Sequence, residues 1–324
     1  MPKVVVFGGS GFLGSHVADA LTEAGYRVRI YDKTPSPYLR EGQEMWVGDI
    51  LDPEAVGKAT RGADYVYNFA GIADLDDAST RPRDTVELNV TGNTHILDAS
   101  VKSRVKRFIY ASSIYVYSEK GGFYRCSKQA SELYIEEYQR RYGLDFTIVR
   151  YSTLYGTRAS ERNSVYRYLL EAKERSRIVC HGSGEEMREY INVKDAARLS
   201  VEILNEKYRN GHIIVSGHHP IRFKEMLLMI QEILGKNIEI KFSGKANLTH
   251  YDYTPYSFTP KIGYRLTADM YLDMGQGLLE CLAEIDRGEK DRELSSDPQK
   301  RLKSYILDMK PSLPGDTDIE VSSR

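Results

Sequence analysis

The chain has 324 residues, 41 % hydrophobic and 28 % charged, with 45 basic against 46 acidic side chains and a formal net charge of −1. This is a globular composition, long enough for one large core or two smaller ones, with no general attraction for nucleic acid or an anionic membrane. No apolar run reaches bilayer length, and no signal-peptide pattern precedes "MPKVVVFGGSGFLG" at the N-terminus.

In chain order, "KVVVFG" (3–8) reads as a buried strand and 12–24 as a helix. "YRVRIYD" (26–32), "EMWVGDI" (44–50), "DYVYNFAG" (64–71), "VKRFIYASS" (105–113) and "LDFTIVR" (144–150) follow as strands. Helical stretches lie between them, notably 84–103 and 124–142. Alternating β and α units of this size predict an α/β fold with a doubly wound parallel sheet covered on both faces.

After Arg150 the alternation weakens. Residues 162–175 and 194–206 read as helices, 211–217 as a strand, 222–234 as a helix and 237–242 as a strand. The segment 243–264, rich in Gly, Thr, Tyr and Pro, reads as loop, and 268–286 as the last main helix. The expected organisation is a sheet domain over 1–150, with segments from about 188–217 returning to it, and a smaller α/β lobe over 151–286. A polar C-terminal tail covers 287–324, where Leu302, Tyr305, Ile306 and Met309 have the spacing of a short docked helix.

Cys126, Cys180 and Cys281 lie too far apart for a zinc pattern or a disulfide framework, which fits a reducing cytoplasm. The seven histidines show no metal-ligand spacing, so no metal is expected. His218 and His219 are adjacent, would face opposite ways on a strand, and read as a structural or surface pair.

The first strand runs into Gly8, Gly11 and Gly14, a GxxGxxG spacing that opens the first helix through Phe12 and Leu13. Glycines let the backbone turn sharply and approach a pyrophosphate, and the helix N-terminus offers free N–H groups. This is the dinucleotide-binding turn of a Rossmann sheet. Asp32, at the end of the second strand, can accept hydrogen bonds from ribose hydroxyls and would repel a 2′-phosphate, which favours NAD over NADP. Lys33 and Arg29 stand close to it in sequence and oppose that preference. Asp49 and Ile50, in "GDI", end the third strand and are placed to contact the adenine.

Tyr124 and Lys128 stand four apart in "GGFYRCSKQASE". With 24 tyrosines in the chain, about one such pair is expected from composition alone, so spacing proves nothing. Placement carries the argument. The pair follows the fifth strand, which ends in "YASSIYVY", and such strand ends face the ligand crevice of an open α/β sheet. On a helix the two side chains share a face. To act as a base near neutral pH, a tyrosine must fall by about 2–3 from its ordinary pKa of about 10, equivalent to about 3–4 kcal/mol. A fixed ammonium and a positive nicotinamide ring both favour the tyrosinate.

The ordered set "GGSGFLG", Asp32, "GDI", "NFAG", "NVTGN", "SSIYVY", "YRCSK", "RYSTLYG" and "REYINVKDAA" resembles the extended short-chain dehydrogenases/reductases over roughly residues 3–285. Within them it is similar to the NAD-dependent nucleotide-sugar epimerases and dehydratases, with UDP-galactose 4-epimerase as the nearest familiar type. The resemblance implies that Ser113, Tyr124 and Lys128 are catalytic, Tyr124 as the base. It implies that Phe69, Ala70 and Gly71 line the nicotinamide side and that Asn89 holds the loop beneath it. Tyr151 and Ser152 would lie near the nicotinamide. Ser113, Tyr124, Thr153 and Arg188 would contact the substrate, Arg188 through its diphosphate. It further implies a homodimer in which helices 84–103 and 124–142 pair across the interface.

Three departures from the family pattern bear on the reaction. Ile114 and Tyr115 stand where the dehydratases and decarboxylases place an acidic residue, which argues against both of those reactions. Only six residues separate Tyr117 from Tyr124, a shortening expected to open the sugar pocket. Thr153 stands where many relatives carry an asparagine. The expectation is a nucleotide-sugar epimerase acting at C4 with tightly bound NAD. The alternative is a 4-keto reductase or dehydrogenase with exchanging coenzyme, and a further one is a non-catalytic nucleotide-binding protein.

Overall fold

The computed structural model describes residues 1–235, 237–242, 250–257 and 263–296. The chain divides into a unit spanning Met1–Cys281, which holds every candidate site residue, and a second from Leu282. The helix expected around Leu302–Met309 lies outside the described residues, as does part of the 243–264 loop.

In chain order the first half runs β1 (Lys3–Phe7), α1 (Phe12–Glu23), β2 (Arg27–Asp32), β3 (Gln43–Val47), α2 (Pro53–Thr60), β4 (Tyr65–Asn68), α3 (Leu75–Thr80) and α4 (Pro82–Val86). A π turn (Glu87–Thr91) joins α4 to α5 (Gly92–Lys102), followed by β5 (Arg107–Ser113), a 3₁₀ turn (Ile114–Tyr117), α6 (Gly122–Tyr142) and β6 (Phe146–Tyr151). The second half runs β7 (Thr153–Tyr155), α7 (Ser164–Arg175), β8 (Arg177–Cys180), β9 (Met187–Asn192), α8 (Val193–Glu202) and β10 (Gly211–Val215). It continues through β11 (Pro220–Arg222), α9 (Phe223–Leu234), β12 (Glu239–Phe242), β13 (Tyr264–Leu266) and α10 (Met274–Ser296).

Eight strands form one sheet in the order β13-β10-β6-β5-β4-β1-β2-β3, with parallel pairing throughout. Strand order reverses between β1 and β4, which opens a crevice at their C-terminal ends. The apolar runs of the sequence follow from burial on both faces. Val4 and Val6 pack with Val17 and Leu21 of α1 and Ala196 and Leu199 of α8. Val5 and Phe7, pointing the other way, pack with Val56 of α2, Ile96 and Leu97 of α5 and Ile135 of α6.

Boundaries differ from the sequence expectation where a strand was read through its following turn. β3 stops at Val47 and β4 at Asn68, so Asp49, Ile50 and Phe69–Gly71 stand in the loops at the crevice. The last main helix begins at Met274 instead of 268. The strands β7, β8, β9 and β11 were not foreseen. They are short or carry charge on both faces, as in "MREYIN", and they exist through mutual pairing in two small sheets, β11-β9-β7 and β12-β8. Tyr264 was read as the end of a loop; it starts β13, a three-residue strand paired to β10.

No helix among the described residues is long and apolar enough to cross a membrane. No group of three or more His, Cys, Asp or Glu side chains among them is placed to hold a metal ion.

Candidate active site

The glycine turn is dictated by close packing at two of its three positions. Gly8 has φ +76°, and a Cβ there would sit 2.6 Å from the Ala70 nitrogen. A Cβ on Gly14 would sit 2.2 Å from the Gly8 carbonyl oxygen. Gly11 is the N-cap of α1, and no side chain caps that end. The first-turn amides, from Phe12 and Leu13 onward, therefore remain available to an anion. The cradle that side chains would fill and the uncapped helix start both suit a dinucleotide pyrophosphate.

Asp32 lies against this turn, its Oδ2 accepting from the Ser10 amide at 3.0 Å. The two cations near it in sequence face elsewhere. Arg29 is buried, donating to the Ala59 carbonyl at 2.6 Å and pairing with Glu44 at 3.0 Å. Lys33 pairs with Asp49 Oδ2 at 3.0 Å. The Leu51 amide, and then Lys33, hold the Asp49 carboxyl below the usual carboxylate range against its partial burial. Neither cation is paired to Asp32, so the opposition read from sequence loses its geometric basis. Ile50 is buried and packs where a Cβ on Gly92 would meet it at 2.6 Å.

On the other side of the crevice, Phe69 stacks on Tyr67 at 5.9 Å and tilts against Tyr151 at 6.4 Å. The Tyr151 hydroxyl hydrogen-bonds Ser200 Oγ at 2.6 Å, and the Ser152 hydroxyl donates to the Glu189 carbonyl at 2.6 Å. Both hydroxyls are thus engaged with the protein itself, and Tyr151 meets Phe69 through its ring. Gly71 has φ +138° and lies where a Cβ would be 2.3 Å from Asn89 Oδ1. That oxygen accepts from the Ile72 amide at 2.7 Å, while Asn89 Nδ2 donates to the Ile72 carbonyl and to Ser127 Oγ, each at 2.9 Å. Ser131 Oγ of α6 donates to the Asn89 carbonyl at 2.8 Å. Asn89 sits in the π turn, and its side chain fastens the post-β4 loop to Ser127 of α6.

Ser113 ends β5, and Tyr124 and Lys128 lie on α6, whose N-cap Gly121 has φ +91°. The Ser113 hydroxyl lies near enough to the Tyr124 phenol to lower its pKa, and it accepts from the Tyr115 amide at 3.3 Å. Tyr124 is buried against Ile72 and Ala78. Lys128 Nζ donates to the Ala111 carbonyl at 2.7 Å and lies 4.8 Å from the Tyr110 ring and 5.7 Å from the Tyr124 ring. Burial pushes the phenol up to about 12, with the Ser113 hydroxyl pulling the other way. Burial pulls the lysine down to about 8, partly offset by Glu132. The expectation that a fixed ammonium favours the tyrosinate needs correction for the chain alone. Desolvation outweighs it, and the phenol is neutral until a further positive charge stands beside it.

A buried network unforeseen from sequence carries α6. Glu132 Oε1 accepts from Ser112 Oγ at 2.6 Å and Arg150 Nε at 3.0 Å; Oε2 accepts from Arg150 Nη2 at 2.8 Å. Arg150 Nη1 donates to the Tyr117 hydroxyl at 2.7 Å. Glu132 was findable, because Tyr124, Lys128 and Glu132 recur at every fourth position on one helical face.

Arg188 stacks its guanidinium 4.4 Å from the Tyr251 ring and donates to the Met187 carbonyl at 2.9 Å. Thr153 Oγ1 lies 3.5 Å from the Tyr251 hydroxyl. Tyr115 meets Tyr124 edge-on at 6.2 Å, tilts against Tyr251 at 5.1 Å, and its hydroxyl hydrogen-bonds His250 Nδ1 at 2.5 Å. His250 and Tyr251 come from a loop with no periodic signal, so only the folded chain reveals them.

Sheet order, glycine turn and Ser–Tyr–Lys geometry together define a dinucleotide-binding α/β protein of the short-chain dehydrogenase/reductase type. Residues 4–217 match the model of the NAD dependent epimerase/dehydratase family, and the chain belongs to that family. It is 28 % identical over 243 residues to the UDP-N-acetyl-alpha-D-glucosaminuronate decarboxylase of Bacillus cytotoxicus, covering 66 % of this chain and 74 % of that one. It is 28 % identical over 225 residues to a putative UDP-glucose 4-epimerase of Methanocaldococcus jannaschii, covering 63 % of this chain and 74 % of that one. The UDP-glucose 4-epimerase of Thermotoga maritima, solved with UDP-glucose, superposes with a TM-score of 0.74 at 25 % identity, covering 88 % of this chain and 99 % of that one.

Proposed function

We propose that the chain is a nucleotide-sugar 4-epimerase that works with a retained NAD. The observation that carries this reading is Tyr124, with the Ser113 hydroxyl near its phenol and Lys128 Nζ 5.7 Å from its ring, beside a 3₁₀ turn that holds no carboxylic acid. NAD, when bound, supplies a hydride acceptor that can return what it takes, together with a positive ring. Gly8, Gly11, Phe12 and Leu13 would hold its pyrophosphate, Asp32 and Lys33 its adenosine ribose region, and Asp49 and Ile50 its adenine. Phe69, Ala70, Gly71 and Tyr151, with Asn89 behind them and Tyr124 and Lys128 beside them, would frame the nicotinamide end.

The chain's own part is proton transfer and grip. Tyr124 Oη, oriented by Ser113, takes the proton from the C4 hydroxyl as the carbon is oxidised and gives it back after the ketone has turned over. Lys128, anchored on the Ala111 carbonyl, keeps a cation under that ring. Arg188 holds the diphosphate through a turnover that presents both faces of the sugar, and Thr153 contacts the sugar. Ile114 is apolar and buried, so the turn offers no acid to protonate a leaving hydroxyl.

Two broader assignments belong to the same reading. Residues 1–150, with the returning segment near 188–217, form the coenzyme lobe, and 151–286 the substrate lobe. The enzyme works in the cytoplasm and as a homodimer, and the dimer is supported by exposed apolar side chains on α4 and α6: Val86, Phe123, Leu133, Tyr134 and Tyr142.

The test is to denature purified protein, assay released dinucleotide, and screen UDP-, GDP-, CDP- and dTDP-sugars by thermal shift and turnover. An epimerase releases stoichiometric NAD and interconverts one pair of C4 epimers without net oxidation. Freely exchanging NADPH with net reduction of a 4-keto sugar would mark a reductase instead.

A further inference from the structure

The reaction proposed above accounts for Ser113, Tyr124 and Lys128 but leaves a second polar couple in the same pocket unexplained. Of the four residues in the 3₁₀ turn after Ser113, Ile114 and Val116 are buried and apolar, and the Tyr117 hydroxyl accepts from Arg150. Tyr115 alone of the four is partly exposed. It is half-buried, meets the Tyr124 ring edge-on at 6.2 Å, and touches Tyr251 at 5.1 Å. Tyr251 in turn lies under the Arg188 guanidinium at 4.4 Å and beside Thr153. Tyr115 therefore stands between the phenol that moves the proton and the cation that suits a diphosphate, which is where a sugar ring joining the two must lie.

The His250 contact gives Tyr115 a specific chemical capacity. Its hydroxyl hydrogen-bonds His250 Nδ1 at 2.5 Å. Imidazole can accept or donate at that nitrogen according to tautomer. When it accepts, the phenol oxygen is free to accept from a ligand; when it donates, the phenol proton is free for one. A sugar that turns over between oxidation and reduction presents hydroxyls in two orientations, and this couple can serve both. A carboxylate at this position could only accept, and an alanine could do neither.

We infer that Tyr115 is a substrate-contacting, specificity-determining residue that holds a sugar hydroxyl next to the reacting carbon, with His250 as its positioning residue. This rests on the nucleotide-sugar reading above. The ligand class is a sugar bearing a free hydroxyl at the carbon beside C4 or on the exocyclic carbon. A sugar lacking that hydroxyl gains nothing from Tyr115.

The test compares wild type, Tyr115→Phe, His250→Asn and His250→Leu on the parent substrate and on its 3-deoxy and 6-deoxy analogues. Tyr115→Phe should lower kcat/KM on the parent by about 10- to 100-fold, the range for losing one hydrogen bond in a pocket. On the analogue lacking the contacted hydroxyl, it should change kcat/KM by less than about 3-fold, because the wild type has already lost that bond. His250→Asn, which keeps a polar atom near Nδ1, should follow wild type, and His250→Leu should follow Tyr115→Phe. Equal losses on the parent and both analogues, or no loss on the parent, would overturn the inference. A wild type that epimerises no nucleotide sugar removes the functional reading instead. The same cycle, run on calorimetric affinities for the same ligands, then decides the contact by the same criteria.

Discussion

The carboxylate of Glu132 and the guanidinium of Arg150 meet in a bidentate pair, at 3.0 Å from Nε and 2.8 Å from Nη2, with both side chains buried. Each partner's surroundings touch the site. Ser112, which also donates to Glu132, precedes Ser113, and Arg150 precedes Tyr151. Glu132 lies two turns below Tyr124 on the same face of α6. One ion pair thus ties the helix that carries Tyr124 and Lys128 to the ends of β5 and β6.

Removing one partner of such a pair leaves the other charge buried and uncompensated. Glu132→Gln should therefore cost about 3–5 kcal/mol of unfolding free energy, measured by urea denaturation. The double variant Glu132→Leu/Arg150→Met should lose less than the sum of the single changes, because it buries no lone charge. Additive losses would show that the pair acts as two independent side chains.

Tyr124→Phe removes the phenol that faces the Ser113 hydroxyl. Turnover of the best nucleotide sugar should fall by about 10²- to 10⁴-fold, the usual contribution of a positioned acid–base group. The melting temperature and the amount of retained NAD should stay close to wild type, since the ring still fills its place against Ile72 and Ala78. Undiminished turnover would remove Tyr124 from the reaction.

The buried lysine makes a stability prediction with a definite sign. Its pKa is drawn from the ordinary 10.5 to about 8 by burial. Between those values the unfolded chain binds the proton more fully than the folded one, so this group's contribution to stability rises with pH from about 8 to about 10.5. Below about 8 the full penalty, about 3 kcal/mol, is present. Lys128→Met should accordingly be more stable than wild type at pH 7, with the difference shrinking as pH rises through that window. The readout is the difference between the two unfolding curves, which cancels the other titrating tyrosines. A difference independent of pH would show that Lys128 is charged and solvated in the folded chain.

Asp32 sets the coenzyme preference in this reading, because Arg29 and Lys33 are paired to Glu44 and Asp49. Asp32→Ser should weaken NAD binding by about 10-fold and bring NADP binding to a comparable level, as measured by calorimetry on stripped protein. An unchanged preference would place the ribose contact elsewhere.

Much of the coenzyme crevice was legible because it is written in local chemistry. A buried strand, a glycine turn and an uncapped helix follow one another within Lys3–Glu23, and Asp32 ends the next strand. The four-residue spacing of Tyr124 and Lys128 puts both on one face of α6, whereas Asn89, which bonds Ile72 and Ser127, was singled out by the family resemblance alone. The small sheets escaped notice because "TLY" and "MREYIN" have no two-residue apolar rhythm; each becomes a strand only when the other pairs with it. His250 and Tyr251 escaped because a loop can deliver any residue to a pocket more than a hundred positions away.

The sequence by itself determined the alternation of strands and helices in the first half, the dinucleotide turn and the residue types that face one another along α6, because each depends on neighbours a few positions away. Only the tertiary structure decided the ionisation of that pair and the company it keeps. Desolvation is a sum over everything packed around a group, so a phenol held up near 12 and a lysine drawn down near 8 cannot be read from their own spacing. The same holds for the Glu132–Arg150 tie and for the Tyr115–His250 couple, whose members meet across 18 and 135 positions of chain.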